Sequence, residues 1–567
     1  MKNLPLVLLI FLNGFELPAQ VEEPQFRSPL TIPLVLSGTF GELRGNHFHS
    51  GIDIKTQGRI GLPVVAIADG YVARVKVSPY GFGKALYLRH DNGFTSVYAH
   101  LNDFQEPVAK YLRVEQYRLR KNELNLYPEA GKISFRKGDT IAFSGNSGGS
   151  GGPHLHFEIR DTRTEEILNP LDFGFEIADN RPPELSDFSL YQFEGEELIA
   201  QERYRVIDDG AGQYHLAGDG VVEAFAPAAF GIEAIDRLDA ANNRNGVYHI
   251  QLQREDSLIF EMKMDRFSFA ESRYINAHID YSQKICCGKK INKLYRESVN
   301  PLQLIKVGGG PAKPGEDSLY NYDLKVGDHA GNYASLNFKL KFSDRSDLLP
   351  ENEATLPFFG RNQSNFYYKD GLKIILPEGA LYRNLYFEHQ RKPPCWDCLA
   401  PVHSIASDQI PVHKYYELAI RPNPLPAGVE RSKLCIVSRK NGRLLDYEGG
   451  DYRDGLVTTR TRQFGEFSIM VDSVAPRARP YNFRNGRNLQ SGEPLIWLVS
   501  DELSGVEHYD LYVNDRWQRL YFDAKTNRLI FDPSDLKRTE ETEVLKFKLV
   551  LRDDRGNERV WRHDFKW

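Results

Sequence analysis

Residues 144–160 read SGNSGGSGGPHLHFEIR, a glycine-rich stretch that runs directly into two histidines, His154 and His156. Side chains on an extended strand alternate between its two faces, so residues two positions apart point to the same side. His154 and His156 can therefore share one site. Because a His-x-His pair is also typical of a solvated strand face, the choice between these two interpretations depends on the rest of the chain.

Histidines are concentrated near this stretch, since six of the fifteen in the chain lie between residues 47 and 156. Such clustering indicates a metal site or an acid/base site. In NHFHSGIDIK, His49 precedes Asp53 by four residues, and Gly51 between them argues against a helix. A bend would then have to aim both side chains at one point. The alternative for this motif alone is a surface histidine next to an unrelated aspartate.

A hydrolytic zinc ion takes three protein ligands from imidazole and carboxylate groups and leaves a fourth position open to water. His49, Asp53 and His156 supply such a set. His154, on the same strand face as His156, is then placed to take the proton of the attacking water. His100, at the end of the strand FTSVYAH, could enter from a third direction and stabilise the developing oxyanion.

Four motifs in order resemble the lysostaphin-like, or LytM-type, zinc metallopeptidases that cut peptide bonds in bacterial peptidoglycan. They are HSGID at 49–53, G-x-P-V-x-A-x-x-D-G-x-V at 61–72, VYAHL at 97–101 and the stretch at 144–160. The resemblance covers about residues 35–175. It implies a small antiparallel β-sheet with the metal in an open groove, and one Zn²⁺ per chain.

Carried over position by position, the resemblance makes His49, Asp53 and His156 the zinc ligands and His154 and His100 the catalytic pair. Members that only activate other enzymes typically lack ligand residues, whereas this chain keeps all five. We expect His90, at a hairpin turn, to be structural, with support of the site residues as the alternative. His47 stays unassigned.

The whole chain is expected to be mainly β, because aromatic residues reach 12% and turn signals recur between short alternating runs. We predict a zinc peptidase domain at 20–180 followed by about three β-sandwiches at 181–345, 350–473 and 474–567. The first and last of these end alike, in YNYDLKVGDHAGN and LKFKLVLRDDRGN, and resemble immunoglobulin-like modules of exported bacterial proteins. The middle one faintly resembles a β-sandwich of ankyrins and death-domain receptors, too weakly to name its family.

Two segments near the proposed site need separate interpretation. Residues 104–136 carry many charged side chains and predict a short helix inserted between strands. This segment is either a basic flap that attracts substrate carboxylates or a solvated helix packed on the sheet. The glycines of 145–152 either form a groove wall that lets the backbone approach a bound peptide or form a flexible turn.

The first 19 residues and the balance of charges predict where the protein acts and which partners it binds. Residues 1–19, with a lysine before a short apolar run, predict a secretory signal peptide, and no later stretch predicts a transmembrane segment. We therefore expect a periplasmic or secreted protein. Because 72 basic residues face 77 acidic ones, nucleic acid is not an expected partner. The expected partners are peptidoglycan stem peptides, and envelope proteins that contact the C-terminal β domains.

The five cysteines carry no assigned function. For Cys395 and Cys398, in PPCWDC, a disulfide is favoured over a metal site, because a second pair at matching spacing is missing.

Two functions from different classes follow. The first is a zinc endopeptidase that hydrolyses peptidoglycan cross-links, with the D-Ala to diaminopimelate bond as the preferred target. The second is a cell-wall binding scaffold, or an activator of another hydrolase, in which the peptidase-like domain only grips wall peptides. The intact set of metal ligands favours the first.

Overall fold

The computed structural model describes residues 26–314, 319–343, 356–486, 488–489, 493–536 and 544–566, and strands dominate these ranges. The prediction of a mainly β protein is confirmed. The predicted signal peptide lies outside the described residues. None of the helices in these ranges is long and apolar enough to cross a membrane.

Residues 26–180 form what we call the N-terminal unit. Its elements are β1 (Leu36–Gly38), β2 (Ile52–Lys55), β3 (Pro63–Val65), β4 (Gly70–Val77), β5 (Ala85–His90), β6 (Phe94–Ala99), β7 (Asp103–Phe104), α1 (Val108–Leu119), β8 (Leu124–Leu126), β9 (Ser134–Phe135), β10 (Thr140–Phe143), β11 (His154–Asp161) and β12 (Ile167–Leu168).

The central sheet of this unit is antiparallel and runs in the order β1-β2-β11-β6-β5-β4-β8, while β3, β10 and β7 form a small second sheet. Strand β11, which begins at His154, lies between β2 and β6 and is buried from Leu155 to Arg160. Because these consecutive residues point alternately to the two faces of the sheet, their burial shows that both faces of β11 are covered.

The predicted insertion contains α1, which buries Val108, Leu112 and Gln116 on one face. These residues follow the four-residue spacing of a helix that packs along one stripe. The helix ends at Leu119, and the next residue, Arg120, caps it with a left-handed φ of 49°.

Residues 181–343 form the second module. Its elements are β13 (Glu184–Glu194), β14 (Glu197–Gly210), β15 (Gln213–Leu216), β16 (Val221–Ala224), β17 (Ala228–Ile235), β18 (His249–Arg254), β19 (Ser257–Lys263), β20 (Arg266–Phe267), α2 (Phe269–Ser272), α3 (Ile275–His278), α4 (Tyr281–Cys287), β21 (Ile291–Lys293), β22 (Ile305–Gly308), β23 (Leu319–Gly327) and β24 (Tyr333–Phe342). The long strand β14 pairs with β13 in its first half and with β15 in its second half, so it joins two groups of strands.

Residues 356–473 form the third module, in which two five-stranded sheets enclose a core of their own. Its strands are β25 (Phe358–Phe359), β26 (Asn365–Lys369), β27 (Leu372–Leu376), β28 (Leu385–Tyr386), β29 (His389–Lys392), β30 (Val402–Ile405), β31 (Tyr416–Ile420), β32 (Leu434–Lys440), β33 (Arg443–Gly449), β34 (Asp451–Arg453), β35 (Leu456–Thr461) and β36 (Gly465–Val471).

Residues 474–566 form the fourth module, in which two four-stranded sheets enclose a separate core. Its strands are β37 (Arg477–Pro480), β38 (Leu495–Ser500), β39 (Val506–Val513), β40 (Arg516–Gln518), β41 (Tyr521–Asp523), β42 (Arg528–Phe531), β43 (Val544–Asp553) and β44 (Glu558–Lys566). Along β43, buried and more exposed residues alternate, as expected for a strand with one face on the core.

The N-terminal unit and the second module share one hydrophobic core, in contrast to the third and fourth modules. Strand β12 pairs with β20, so the second module extends the central sheet of the N-terminal unit. Phe48, which is 1% exposed, lies 5.7 Å from Phe267 between ring centroids. The loop that carries His49 is therefore anchored in the second module.

The cysteines form two short-range pairs in the described residues. Cys395 is bonded to Cys398, and Cys286 is bonded to its neighbour Cys287, while Cys435 is free and buried in the third module.

Candidate metal centre

Three strands bring the predicted ligands together. Asp53 lies on β2, directly opposite His156 on β11. His156 also lies opposite Ala99 on β6, so His100 follows at the end of that strand. His49 precedes β2 in a bend, where a Cβ on Gly51 would collide with the backbone of Phe157. Only glycine fits that position, so the segment between His49 and Asp53 can approach β11 closely.

Three ligand atoms form a compact triangle. His49 Nε2 lies 3.1 Å from Asp53 Oδ1 and 3.1 Å from His156 Nδ1, and that Nδ1 lies 2.9 Å from Asp53 Oδ1. Bonds of about 2.1 Å to one tetrahedral zinc ion would separate its ligands by about 3.4 Å. The spacing of the three atoms is close to that value.

In each of the two histidines, the ring nitrogen outside the triangle donates a hydrogen bond, so the nitrogen inside the triangle can act as an acceptor. His49 Nδ1 donates to the carbonyl oxygen of Thr39 at 2.7 Å, which leaves Nε2 as an acceptor in the neutral ring. His156 Nε2 donates to Glu158 Oε1 at 3.0 Å, which leaves Nδ1 as an acceptor. Three acceptor atoms therefore converge on one point, and a cation of the size and preference of Zn²⁺ fits it.

The carboxylate of Asp53 presents only one of its oxygens to this point. Its Oδ2 accepts a hydrogen bond from the Arg44 guanidinium at 3.0 Å, and the same guanidinium lies 3.1 Å from Glu42 Oε2. Burial raises the pKa of Asp53, but its interactions with the imidazoles of His49, His154 and His156 outweigh burial and hold the pKa well below its usual range. Asp53 is therefore an anion, as a metal ligand must be.

His156 lies between two carboxylates. Burial lowers the pKa of His156, but its hydrogen bonds to Asp53 and Glu158 outweigh burial and raise the pKa to about 9. The surroundings thus favour positive charge at Nδ1, which either a proton or a metal ion can supply. Burial raises the pKa of Glu158, but Arg160 and His156 lower it to about 2, so Glu158 remains an anion behind the ligand.

The imidazoles of His154 and His100 lie beside this triangle. His154 Nδ1 donates to the carbonyl oxygen of Gly152 at 2.8 Å, and its Nε2 lies 3.4 Å from Asp53 Oδ1. His100 Nδ1 donates to the carbonyl oxygen of Ser147 at 2.8 Å. The centroids of these two imidazole rings are 4.8 Å apart. In both rings Nδ1 is occupied by a carbonyl oxygen, which leaves Nε2 available for other contacts.

His100 is held in a demanding conformation. Its φ is 57°, in the left-handed region that non-glycine residues rarely adopt. Its backbone N–H donates to the carbonyl oxygen of Phe82 at 3.0 Å. Burial and the neighbouring imidazoles of His156 and His154 lower the pKa of His100 to about 3, so the ring is neutral near pH 7. A neutral His100 with this tautomer accepts hydrogen bonds at Nε2.

The glycines before His154 serve two different needs. A Cβ on Gly145 would collide with the backbone of Asn102, and one on Gly148 would collide with that of Gly83. These glycines let the loop approach its own chain. By contrast, Gly151 and Gly152 have no neighbour within 4 Å of an added Cβ, so open space lies beside them next to His154.

The remaining histidines of the cluster lie apart from the triangle. His90 donates to the carbonyl oxygen of Asp69 at 2.8 Å and lies 2.7 Å from Ser96 Oγ, within a buried network of the sheet. Burial lowers the pKa of His47, which is not among the converging ligands.

Sequence reasoning missed several residues that hold the site. Glu158 follows His156 by two positions on a strand, so the period of two could have placed it on the same face. Arg44 and Thr39 gave no such signal, because they belong to loops whose course depends on distant contacts. Thr39 Oγ1 accepts from the backbone N–H of Gly246 at 3.1 Å, across 207 positions of sequence.

Comparison with known proteins identifies two regions of the chain. Residues 47–118 match "Peptidase family M23", and residues 357–472 match "Zu5-like domain". The first match begins just before His49 and includes Asp53 and His100.

Individual relatives match the same region. The DD-carboxypeptidase/endopeptidase Mpg of Neisseria meningitidis is 28% identical over 155 residues, which are 27% of this chain and 29% of that protein. The peptidoglycan DD-endopeptidase ShyB of Vibrio cholerae is 32% identical over 135 residues, 24% of this chain and 26% of that protein. This chain therefore spans less than a third of the length of these relatives.

Among solved structures, the catalytic domain of lysostaphin from Staphylococcus simulans is 23% identical, covers 25% of this chain and 91% of that domain, and has a TM-score of 0.19. The two family matches lie in the N-terminal unit and the third module. The chain thus carries a peptidase domain of family M23, of the LytM type, followed by a Zu5-like domain.

Proposed function

We propose that this protein is a zinc-dependent endopeptidase that hydrolyses peptide cross-links of bacterial peptidoglycan outside the cytoplasm. The observation that carries the proposal is the convergence of three acceptor atoms, from His49, Asp53 and His156, with the imidazoles of His154 and His100 beside them. Relatives named DD-endopeptidase support the D-Ala to diaminopimelate bond as the target. Contact of the β modules with envelope proteins stays a prediction.

The residues present divide the chemistry between them. Zinc, when bound to His49, Asp53 and His156, supplies the positive charge that makes water nucleophilic near neutral pH and polarises the scissile carbonyl. His154 Nε2 accepts a proton from the attacking water and later returns it to the leaving amine. The carbonyl oxygen of Gly152 holds the His154 ring in the tautomer that this step requires.

His100 has a narrower part in this proposal than the sequence suggested. A role in stabilising the oxyanion needs a donor at Nε2, but the hydrogen bond to Ser147 places the single proton on Nδ1. The burial that lowers the pKa of His100 to about 3 disfavours a second proton. We therefore assign His100 to accept a hydrogen bond from the attacking water and orient it for His154.

The test compares zinc content with hydrolysis of purified cross-linked peptidoglycan. His154→Ala should keep zinc and lose turnover by about 10²- to 10⁴-fold, the usual contribution of a positioned acid/base group. His49→Ala, Asp53→Ala and His156→Ala should lose zinc as well as activity. His215→Ala, which removes an exposed histidine of the second module, is the matched control and should change neither.

Two results would contradict the proposal. Hydrolysis by the native protein that persists after complete removal of zinc would exclude a metal mechanism. Binding to peptidoglycan without any hydrolysis, in a zinc-loaded native protein, would instead favour the scaffold or activator.

A further inference from the structure

Three carboxylates converge where the second module begins, away from the candidate metal centre. Asp179 lies in the linker before β13, Asp236 follows β17, and Asp328 follows β23. One oxygen from each lies within 4.8 Å of the other two. Asp236 and Asp328 are each only 3% exposed.

No basic side chain of the described residues lies within 4.0 Å of these carboxylates. Burial raises the pKa of Asp236 to about 8, and the charges of Asp179 and Asp328 add to this effect. Burial and the charge of Asp328 also raise the pKa of Asp179, to about 6. Arg181 lowers the pKa of Asp236 from a greater distance, and Asp328 Oδ1 accepts hydrogen bonds from the backbone N–H groups of Gly331 and Asn332, but neither offsets the burial of Asp236. Buried carboxylates without a close positive partner are costly, so protons or a cation would stabilise the cluster.

A buried amide beside the cluster also lacks partners. Asn245 is 2% exposed, and neither its amide oxygen nor its amide nitrogen has a hydrogen-bond partner; Asp236 Oδ1 lacks one too. Asp236 and Asn245 exchange backbone hydrogen bonds of 3.0 and 2.9 Å as an antiparallel pair. Such a pair directs both side chains to the same face, so an unsatisfied amide oxygen accompanies the Asp236 carboxylate.

The same arrangement recurs in the fourth module. Asn332 Nδ2 donates to Asp328 Oδ2 at 2.7 Å and to the carbonyl oxygen of Asp179 at 3.4 Å. The corresponding bonds of Asn557 reach Asp553 Oδ2 at 2.8 Å and the carbonyl oxygen of Asp472 at 3.0 Å. The third carboxylate, after β38, is that of Asp501, and its Oδ1 again has no partner.

We propose that the cluster of Asp179, Asp236 and Asp328, together with Asn245, binds a calcium ion. All the available donors are oxygens, and no histidine or cysteine belongs to the group. Calcium prefers six to eight oxygen ligands in flexible geometry, whereas zinc prefers nitrogen and sulfur. A cavity of about 80 Å³ borders the cluster at Asp179 and Asp236, though not at Asp328 or Asn245, and gives water access to those two carboxylates.

The position of this site gives the ion a structural role. Asp179 belongs to the linker between the N-terminal unit and the second module, so the ion joins that linker to two strands of the module. Gly246 is next to Asn245 and exchanges two hydrogen bonds with the Thr39 hydroxyl, which donates to the Gly246 carbonyl oxygen and accepts from its N–H. Thr39 in turn accepts the hydrogen bond from His49. Bound calcium therefore stabilises the segment on which the orientation of His49 depends.

The experiment uses the full mature chain, stripped of metal and dialysed, with calcium binding measured by equilibrium dialysis and stability by thermal unfolding. Calcium should raise the Tm of the native protein by about 5 °C at saturating concentration. The Asp236→Asn/Asp328→Asn double variant should bind one calcium ion fewer. Its metal-free form should unfold at a higher temperature than metal-free native protein, because the repulsion is gone.

Two controls separate this site from other effects. Asp209→Asn, which changes an exposed carboxylate of the same module, should leave calcium binding intact. The double variant should keep its zinc, and His156→Ala should keep its calcium, so failure of the zinc proposal would not affect this one.

Three outcomes would overturn the proposal. The double variant could bind as many calcium ions as the native protein. The native protein could take up no calcium at this cluster, in which case shared protons satisfy the carboxyls. Magnesium could raise the Tm as much as calcium does, which would exclude a calcium site.

Discussion

The second and fourth modules both contact the N-terminal unit, but they contact different segments of it and do so with different chemistry. The second module contributes apolar residues to a shared core, and Phe48 packs within it beside Phe267. The fourth module keeps its own core and makes polar contacts with the inserted segment. Tyr117 donates to Gln518 Oε1 at 3.1 Å, and Asn122 donates to the carbonyl oxygen of Tyr509 at 2.9 Å.

The two modules support different parts of the site, one the metal ligands and the other the catalytic histidines. His49, a proposed ligand, lies next to Phe48 and depends on the second module for its orientation. His100, a proposed catalytic residue, donates to the carbonyl oxygen of Ser147 in the glycine-rich loop. The fourth module reaches the same loop, because Lys525 Nζ donates to the carbonyl oxygen of Asn146 and Tyr521 lines one cleft with Ser147. A polar interface between modules is more readily opened than a shared core. We therefore expect the positions of the metal ligands to be fixed by the fold. The position of His100, in contrast, should change when the contact with the fourth module changes.

Among the variants considered, Phe48→Ala should have the largest effect on stability and zinc retention. Removing a fully buried phenylalanine costs about 3–5 kcal/mol of unfolding free energy, and here it also frees the loop that carries His49. We expect a lower Tm together with weaker zinc retention, measured by thermal unfolding and by zinc loss to a competing chelator. Phe366→Ala, at a 70% exposed position of the third module, is the control and should change neither. A Phe48→Ala protein that retains zinc as tightly as the native protein would show that the shared core does not position the ligand.

Acid should destabilise the second module through a buried histidine. Burial lowers the pKa of His278, which is 0% exposed, to about 4, while its unfolded value is near 6.5. Its neutral form is favoured in the folded state, so the stability is fully present above pH 6.5 and is lost as the pH falls toward 4. At pH 5 the loss is about 2 kcal/mol.

The measurement for this second prediction is urea unfolding of metal-free protein at pH 7.5 and pH 5. His278→Gln, which cannot take up the proton, should lose less stability between these two values than the native protein does. Equal losses in the two proteins would assign the acid sensitivity to other groups.

The sequence predicted the local parts of this picture and missed the contacts between modules. Strand alternation placed His154 and His156 on one face, and the helix within 104–136 was expected from its composition. The order of the motifs brought His49, Asp53 and His156 together without any structure. By contrast, the contact of Thr39 with Gly246 joins residues 207 positions apart, and that of Asn122 with Leu520 joins residues 398 positions apart. Such contacts depend on complementary surfaces of folded units, which local periodicity does not encode.

Tyr521→Phe tests the fourth-module side and should have a smaller effect. Its side chain lines one cleft with Ser147 of the loop that orients His100, and the loss of one polar contact there costs at most about 1 kcal/mol, or up to about fivefold in kcat. Zinc content should not change. Tyr333→Phe, at a 49% exposed position of the second module, is the matched control. A loss of zinc in Tyr521→Phe would break the comparison, because the fourth module would then also support the ligands.

Reversing the charges of the inserted helix should have the smallest effect. As a basic flap, Arg113, Arg118 and Arg120 would attract substrate carboxylates, and their replacement by glutamate would lower kcat/KM at low salt. The structure instead pairs Arg113 with Glu106 at 3.0 Å and Arg118 with Glu115 at 2.5 Å, so much of the local positive charge is already balanced. Arg113 also lies 3.8 Å from Asp535 of the fourth module, which gives the helix a docking role. We therefore expect the triple variant to change kcat/KM on a soluble cross-linked stem peptide by less than about twofold, because exposed, paired charges contribute little. A larger loss at low salt that disappears at high salt would restore the steering interpretation, and a loss independent of salt would show that docking of the fourth module controls the groove.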